Sequence, residues 1–280
     1  MKSLFDTFAL NNGIGIPCVG FGTWQIPSGK TAVDSVKCAI EVGYRHIDTA
    51  SNYGNEKSIG QGIRESGIDR KDLFVTTKLW NTQRGYEPAL KAFEISLAEL
   101  GLDYIDMYMI HWPANKLNGA KINYYTWRAF ERLYKDGLVR AIGVSNFLEH
   151  HLVSLIDNAE IVPAVNQIEF HPGQMQPELL SFCMANKILV QAWNSVGSGE
   201  MMNERTLTSL AVKYGKSVMQ LCVRWILQNG VLPLPKSVTP SHIRENANIF
   251  DFEISESDMQ EINAIPYFGG SGLNPDTISF

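Results

Sequence analysis

Short runs rich in β-branched and aromatic residues alternate along this chain with stretches whose apolar residues recur at helical spacing. The runs fall at Val19–Gly22, Arg45–Thr49, Leu73–Lys78, Tyr104–His111, Val139–Ser145, Ala164–Glu169, Ile188–Trp193 and Val231–Pro235. Between them, sets such as Ala32, Val36, Ala39 and Ile40, or Leu90, Phe93, Leu97 and Leu100, mark one face of a helix. Most units span about 25 to 30 residues, the length of a strand–helix step. Several runs are apolar almost throughout, as strands covered on both faces should be. Gly43, Gly101 and Gly137 sit just past helical stretches, where a left-handed C-terminal cap is wanted.

Ahead of the first unit, Leu10-Asn11-Asn12-Gly13 followed by Ile16-Pro17 predicts a hairpin, with Asn-Gly supplying the positive backbone dihedrals. At the other end Ser255–Ile265 reads as a helix and Pro266–Phe280 as an irregular tail. No Gly/Pro/Ser-rich linker divides the eight units. The expectation is one α/β domain over residues 1–280, a (β/α)8 TIM barrel, rather than an open doubly wound sheet.

Composition narrows the functions open to such a fold. With 280 residues, 45% of them hydrophobic and 19% charged, the chain can bury a large core. Its 24 basic and 29 acidic residues give a net charge of −5 with no cationic block, which argues against a nucleic-acid partner. Cys18, Cys38, Cys183 and Cys222 share no CxxC spacing and read as free thiols. Asp6 interrupts the place of a signal-peptide core, and no window of about 18 apolar residues exists. A cytoplasmic protein with no membrane partner is expected.

Three motifs mislead. Gly20-Phe21-Gly22-Thr23-Trp24-Gln25 begins like a dinucleotide fingerprint but lacks the third glycine and the following helix. Gly29-Lys30-Thr31 resembles the end of a P-loop, yet Trp24 stands where its first glycine belongs. His150 and His151 are adjacent rather than four apart, so no metal is expected there.

In a (β/α)8 barrel chemistry sits at the C-terminal ends of the strands. Asp48, Lys78 and His111 end the second, third and fourth runs, and Tyr53 lies just beyond the second. Ser145-Asn146, Gln167 and Glu169, Trp193, and Lys236-Ser237 close the remaining four. Asp48 and Lys78 could form a structural ion pair, His111 could be a core histidine and Tyr53 a loop aromatic. Their convergence on one mouth favours a site.

Gly43-Tyr44-Arg45-His46-Ile47-Asp48-Thr49-Ala50 with Tyr53-Gly54-Asn55-Glu56 resembles the signature of the aldo-keto reductase family. So do Gly143-Val144-Ser145-Asn146-Phe147, Asn166-Gln167-Ile168-Glu169-Phe170-His171-Pro172 and Leu234-Pro235-Lys236-Ser237, in order along nearly the whole chain. The nearest likeness is to small prokaryotic members that reduce diketo-gluconate, methylglyoxal and other aldehydes.

The resemblance implies an oxidoreductase of the aldehyde-reductase type that reduces a small-molecule carbonyl with NADPH. It implies that Tyr53 gives the proton, Lys78 lowers the phenol's pKa, Asp48 holds Lys78, and neutral His111 orients the carbonyl. It places the coenzyme across the mouth. Thr23, Trp24 and Asp48 lie beneath it, Ser145, Asn146 and Gln167 reach its carboxamide, and Trp193 stacks on its nicotinamide. Ser195, Val196, Gly197 and Ser198 follow along the pyrophosphate, Lys236 and Ser237 lie near the adenosine phosphate, Glu245 and Asn246 match positions that contact adenine, and Val238 and His242 complete the coenzyme contacts.

Trp24, Tyr53, Trp80, His111 and Trp112 wall the substrate, while Trp127 and Trp225, on helical stretches, read as core. His242 stands where an arginine commonly grips the 2′-phosphate, and Arg244 is two residues on, so NADH should be accepted alongside NADPH. A short loop after Trp193 implies an open mouth and small aldehydes or α-dicarbonyls. A monomer is the family default. Two other readings remain at this stage: a non-catalytic scaffold keeping the coenzyme site, and a Schiff-base aldolase using Lys78 or Lys236.

Overall fold

Each of the eight runs contributes a strand to the computed structural model, which describes residues 1–116 and 118–279. The hairpin pairs β1 (Thr7–Ala9) with β2 (Gly15–Pro17). There follow β3 (Phe21–Gly22), α1 (Lys30–Val42), β4 (His46–Asp48), α2 (Glu56–Glu65), β5 (Phe74–Leu79), α3 (Tyr86–Leu100), β6 (Ile105–Ile110), α4 (Gly119–Lys135) and β7 (Val139–Ser145). Next come α5 (Glu149–Ile156), β8 (Val165–Glu169), α6 (Pro177–Ala185), β9 (Leu189–Trp193), α7 (Arg205–Tyr214), α8 (Val218–Gln228), β10 (Leu232–Pro233), α9 (Pro240–Ala247) and α10 (Glu256–Asn263). The tail runs on from Pro266; Phe280, its last residue, lies outside the described residues.

Strands β3 to β10 are parallel and sit side by side in chain order. The first and last are shorter than the sequence suggests, for a chemical reason. Pro233 and Pro235 have no N–H, so on the β3 side the last strand can only accept. It does so at Gly20 N to Pro233 O and Gly22 N to Pro235 O, both 3.0 Å, while Leu234 N turns the other way to Ala192 O of β9. These two bonds close the barrel. The approach needs glycine: a Cβ on Gly22 would lie 2.9 Å from the Leu234 carbonyl oxygen.

The core has two compartments. Inside the barrel Phe74, Met107, Met109, Val165 and Leu232 pack with Leu10 and Ile16, so the hairpin plugs the base. Its turn is fixed by Asn11 Nδ2 to Pro163 O (3.0 Å) and Asn12 Nδ2 to Arg140 O (3.0 Å), at the entries to β8 and β7. The turn differs from the expected one in that only Gly13 has positive φ (85°), and Gly13 N closes back on Leu10 O at 2.9 Å. This is a type I turn followed by a left-handed residue, with Asn12 in ordinary backbone. Between sheet and helices lies the larger compartment, where Trp127 and Trp225 are fully buried and give their indole N–H to Ile161 O (2.9 Å) and Asn263 Oδ1 (2.8 Å).

Local signals set the helix ends. Gly43, Gly101 and Gly137 all have positive φ. Ser217 Oγ accepts Gln220 N while Gln220 Oε1 accepts Ser217 N, a capping box that starts α8, and Ser255 Oγ starts α10 by accepting Asp258 N. No helix among the described residues is long and apolar enough to cross a membrane.

His46 of β4 is buried in the barrel wall against Thr76 Oγ1 (3.0 Å), and burial, aided by the Lys78 charge, pushes its imidazole down to about 3. The unfolded chain takes up that proton near 6.5 and the native one does not. Stability is therefore complete above pH 6.5 and falls as the pH drops toward 3. From pH 7 to pH 5 His46 alone should lower the unfolding free energy by about 2 kcal/mol. Urea denaturation at the two pH values measures this, and equal midpoints would exclude it.

Candidate active site

The C-terminal ends of β4, β5 and β6 bring Asp48, Lys78 and His111 to one end of the barrel. A 3-10 turn at Ser51–Tyr53 folds Tyr53 back over them, held by Ser51 Oγ donating to Lys78 O at 2.9 Å. Lys78 is fully buried. Its three ammonium protons meet three oxygens: Asp48 Oδ1 at 2.6 Å, Thr49 O at 2.9 Å and Tyr53 Oη at 3.3 Å. Burial works against the lysine's charge, but Asp48 and Tyr53 outweigh it and hold its pKa above the ordinary value. A nucleophilic amine would need the opposite shift.

Tyr53 differs from expectation. Burial of its hydroxyl pushes the phenol up by more than the Lys78 charge pulls it down, and Asp48 adds to the rise. The net direction is upward, so the phenol keeps its proton at neutral pH. His111 is held well below the imidazole range by burial and by the charges of Lys78 and Arg84, and is neutral. Its Nδ1 is buried with no hydrogen-bond partner, leaving Nε2 as the nitrogen available to the mouth.

Two hollows meet over these groups. The first, about 420 Å³, is lined by Trp24, Tyr53, Trp80, His111 and Trp112, the five residues expected around a substrate, together with Asn52, Ser145, Asn146, Gln167, Trp193 and Leu273. The second, about 480 Å³, is a groove bounded by Thr23, Trp24, Asp48, Gln167, Trp193, Ser195, Val196, Ser198 and Lys236. The remaining expected coenzyme contacts are not on its lining. Gly197 turns toward the tail, Ser237 Oγ accepts Thr239 N at 3.0 Å, and Val238, His242, Glu245 and Asn246 lie beyond Lys236 on the approach to α9 or within it. His242 is exposed, and Arg244 points to Glu41 of α1 at 3.8 Å.

Hydrogen bonds leave specific valences for a ligand in the groove. Gln167 Nε2 spends both protons, on Asp48 Oδ2 (2.9 Å) and Gln191 Oε1 (3.0 Å), so its carbonyl oxygen is the group left to accept. Asn146 gives its amide to His111 O and Ser145 Oγ and accepts Trp193 Nε1 at 2.9 Å, which fixes the indole plane between the two hollows. Ser195 Oγ is buried on the groove wall with no partner in the protein, a hydroxyl suited to a phosphate oxygen. These residues fit a nicotinamide dinucleotide.

Sequence reasoning missed Asn194 and Met219 in the groove and Asn52 and Leu273 in the cavity. Asn194 directly follows the Trp193 strand end and could have been found there. Leu273 belongs to the aperiodic tail and carries no local signal. A separate cluster gathers His150 Nε2 and His151 Nε2 at 2.9 and 3.2 Å from Asp276 Oδ1. His151 Nδ1 already accepts Leu148 N at 3.2 Å, so its other nitrogen carries the proton that faces Asp276. The cluster also stands at the N-terminus of α5, where the helix dipole favours an anion over a cation. Its chemistry docks the tail.

Comparison with known proteins agrees with this geometry. A family model described as Aldo/keto reductase family matches residues 18–266. A glyoxal reductase of Bacillus subtilis is 50% identical over 279 residues, 99% of each chain. The crystal structure of an aldo-keto reductase enzyme from a Medee basin deep-sea metagenome library superimposes with a TM-score of 0.94 at 42% identity, covering 98% of this chain and 100% of that one. A Bombyx mori aldo-keto reductase solved in complex with NADP gives a TM-score of 0.87 at 35% identity, over 95% and 94% of the two chains.

The Lys78–Asp48 pair makes a stability prediction. Lys78→Met leaves the Asp48 carboxylate buried without its cation and should cost about 3–5 kcal/mol. Chemical denaturation at pH 7 reads this directly, and a loss below about 1 kcal/mol, the range of an exposed pair, would contradict the burial.

Proposed function

The chain belongs to the aldo/keto reductase family, and from that premise we propose that it reduces small aldehydes and α-dicarbonyls to alcohols with NADPH, using Asp48, Tyr53, Lys78 and His111. The observation that carries the reading is the Tyr53 hydroxyl held 3.3 Å from the buried Lys78 Nζ, with the His111 ring edge-on to the phenol, where an aromatic cavity opens onto the groove.

The bound coenzyme supplies the hydride that reduces the carbonyl carbon. Everything else falls to the chain. His111, neutral, donates from Nε2 to the carbonyl oxygen and turns it toward Tyr53. As charge builds on that oxygen, Tyr53 Oη passes its proton to it, and the phenolate left behind is stabilised by Lys78. Burial makes the phenol a weaker acid, and the Lys78 ammonium works against that by stabilising the phenolate that proton transfer leaves behind. Asp48 keeps Lys78 in place and balances its charge. Trp24, Trp80 and Trp112 exclude water from the reacting carbon.

Gln167 and Asn146 would hold the carboxamide, Trp193 would stack on the nicotinamide, and Ser195, Val196 and Ser198 would follow the pyrophosphate toward Lys236. A glyoxal reductase at 50% identity favours α-dicarbonyl substrates. The reading takes the chain as one domain, acting in the cytoplasm as a monomer without a nucleic-acid partner, in keeping with a net charge of −5 and no cationic block.

Tyr53→Phe removes only the proton donor. It should abolish NADPH oxidation with methylglyoxal or glyoxal while NADPH still binds with near wild-type affinity by fluorescence titration; a variant with wild-type turnover would sink the assignment. Coenzyme choice gives a second test. With His242 exposed and Arg244 set against Glu41, no guanidinium is committed to the 2′-phosphate. The ratio of kcat/KM for NADPH over NADH should stay below a thousandfold, which corresponds to about 4 kcal/mol.

A further inference from the structure

Glu169, the last residue of β8, takes part in none of these steps, yet four hydrogen-bonding groups converge on its buried carboxylate. Oε1 accepts Asn194 Nδ2 at 2.7 Å and Ser271 N at 2.9 Å and faces His171 Nε2 at 3.2 Å; Oε2 accepts Ser271 Oγ at 2.6 Å. Burial pushes this carboxyl up, and the bonds from His171, Ser271 and Asn194 together outweigh it and hold it below the usual range. Asn194 and Ser271 come from different parts of the site. Asn194 opens the loop along the coenzyme groove and also accepts Ser198 N through Oδ1 at 2.5 Å. Ser271 lies in the tail, two residues before Leu273, which walls the carbonyl cavity.

A second contact joins the same two segments without Glu169. The Phe268 ring is seated against two glycines. A Cβ on Gly197, in the coenzyme loop, would lie 2.8 Å from Phe268 Cζ, and one on Gly173, in the loop after β8, would lie 2.9 Å from Phe268 Cδ1. His171 closes this socket with its ring centroid 5.4 Å from that of Phe268. Farther along, the tail is fixed to the barrel by Asn115 Nδ2, which donates to Pro275 O (2.8 Å) and Ile278 O (2.9 Å), and by Asp276 against His150 and His151. The tail segment that Glu169 and Phe268 position is therefore the one carrying Leu273.

We propose that Glu169 is a positioning residue which, with Phe268, joins the coenzyme loop at 194–198 and the tail at 268–273 into one mechanical unit, so that coenzyme binding and the shape of the carbonyl cavity are coupled. The proposal rests on the reading of the groove as the NADPH site. Order imposed on the loop by coenzyme passes through Asn194 and Gly197 to Ser271 and Phe268, and so to Leu273. By linkage, a change in the tail must alter coenzyme affinity by as much as coenzyme alters the tail. A tail that merely walls the cavity would change substrate KM alone.

The test measures NADPH affinity by tryptophan fluorescence, and methylglyoxal turnover, in the wild type and in Ser271→Ala, Ser271→Thr and Phe268→Ala. None of these side chains lines the coenzyme groove. A wild type that neither binds NADPH nor oxidises it with methylglyoxal would overturn the proposed function. Given a functional wild type, both alanine variants should raise the NADPH Kd about fivefold along with the substrate KM, and Ser271→Thr, which keeps the hydroxyl, should retain the wild-type Kd. Wild-type NADPH affinity in both alanine variants overturns the coupling, whatever happens to KM. So does equal weakening by threonine and alanine at 271, because the effect would then not run through the hydroxyl on Glu169.

Discussion

A lysine with no exposed surface can stay charged only if the fold surrounds it with oxygens, and much of the site follows from that demand at Lys78. The register of β4 against β5, with Asp48 opposite Thr76, brings the carboxylate within reach of the ammonium. The carbonyl of Thr49 and the phenol of Tyr53 supply the other two acceptors. Asp48 in turn is held by Gln167, and Gln167 by Gln191, so a line of polar side chains crosses the barrel from β5 to β9. Removing any link would leave a buried donor or acceptor unmatched, which costs more than the link itself contributes. Burial, aided by the same charge, holds the pKa of His46 and of His111 below the usual imidazole range.

Much of this was legible in the chain because the barrel repeats one unit and every repeat puts its chemistry at the same place. Apolar runs flanked by helical periodicity located eight strands, and a charged residue closing an apolar run, as Asp48 and Lys78 do, is costly enough to be informative. What escaped lies where no periodicity exists. Leu273 and Ser271 sit in the irregular tail, whereas Asn194 follows a strand end and was within reach, though its left-handed backbone (φ 64°) was not. Glu169 was visible as a polar strand end, but one of its partners, Ser271, comes from the tail some hundred residues away in sequence, and such pairing is set only by tertiary packing. The direction of the Tyr53 shift could not be read either, because it depends on how deeply the hydroxyl is buried relative to its distance from Lys78.

The cavity combines aromatic walls with few polar groups. Three tryptophans and Tyr53 offer flat apolar surface, while His111 and the Tyr53 hydroxyl supply directed hydrogen bonds at one end. A short connection after β9 suggested a mouth left open. Leu273 shows that the tail also takes part of the wall, beside Trp24, Trp80 and Trp112 from the connections after the strands.

The closure of the barrel has a consequence for how the protein is made. Its first and last strands meet through two backbone hydrogen bonds, from Gly20 and Gly22 to Pro233 and Pro235. A chain emerging from the ribosome has produced Asp48, Tyr53, Lys78 and His111 well before those prolines appear, yet the cylinder cannot form without them. Until then the sheet has an open edge at Phe21–Gly22 and another at the newest strand, each with unpaired backbone groups that favour association with a neighbouring chain. The residues of the candidate site are thus made early and the closed barrel that holds them late.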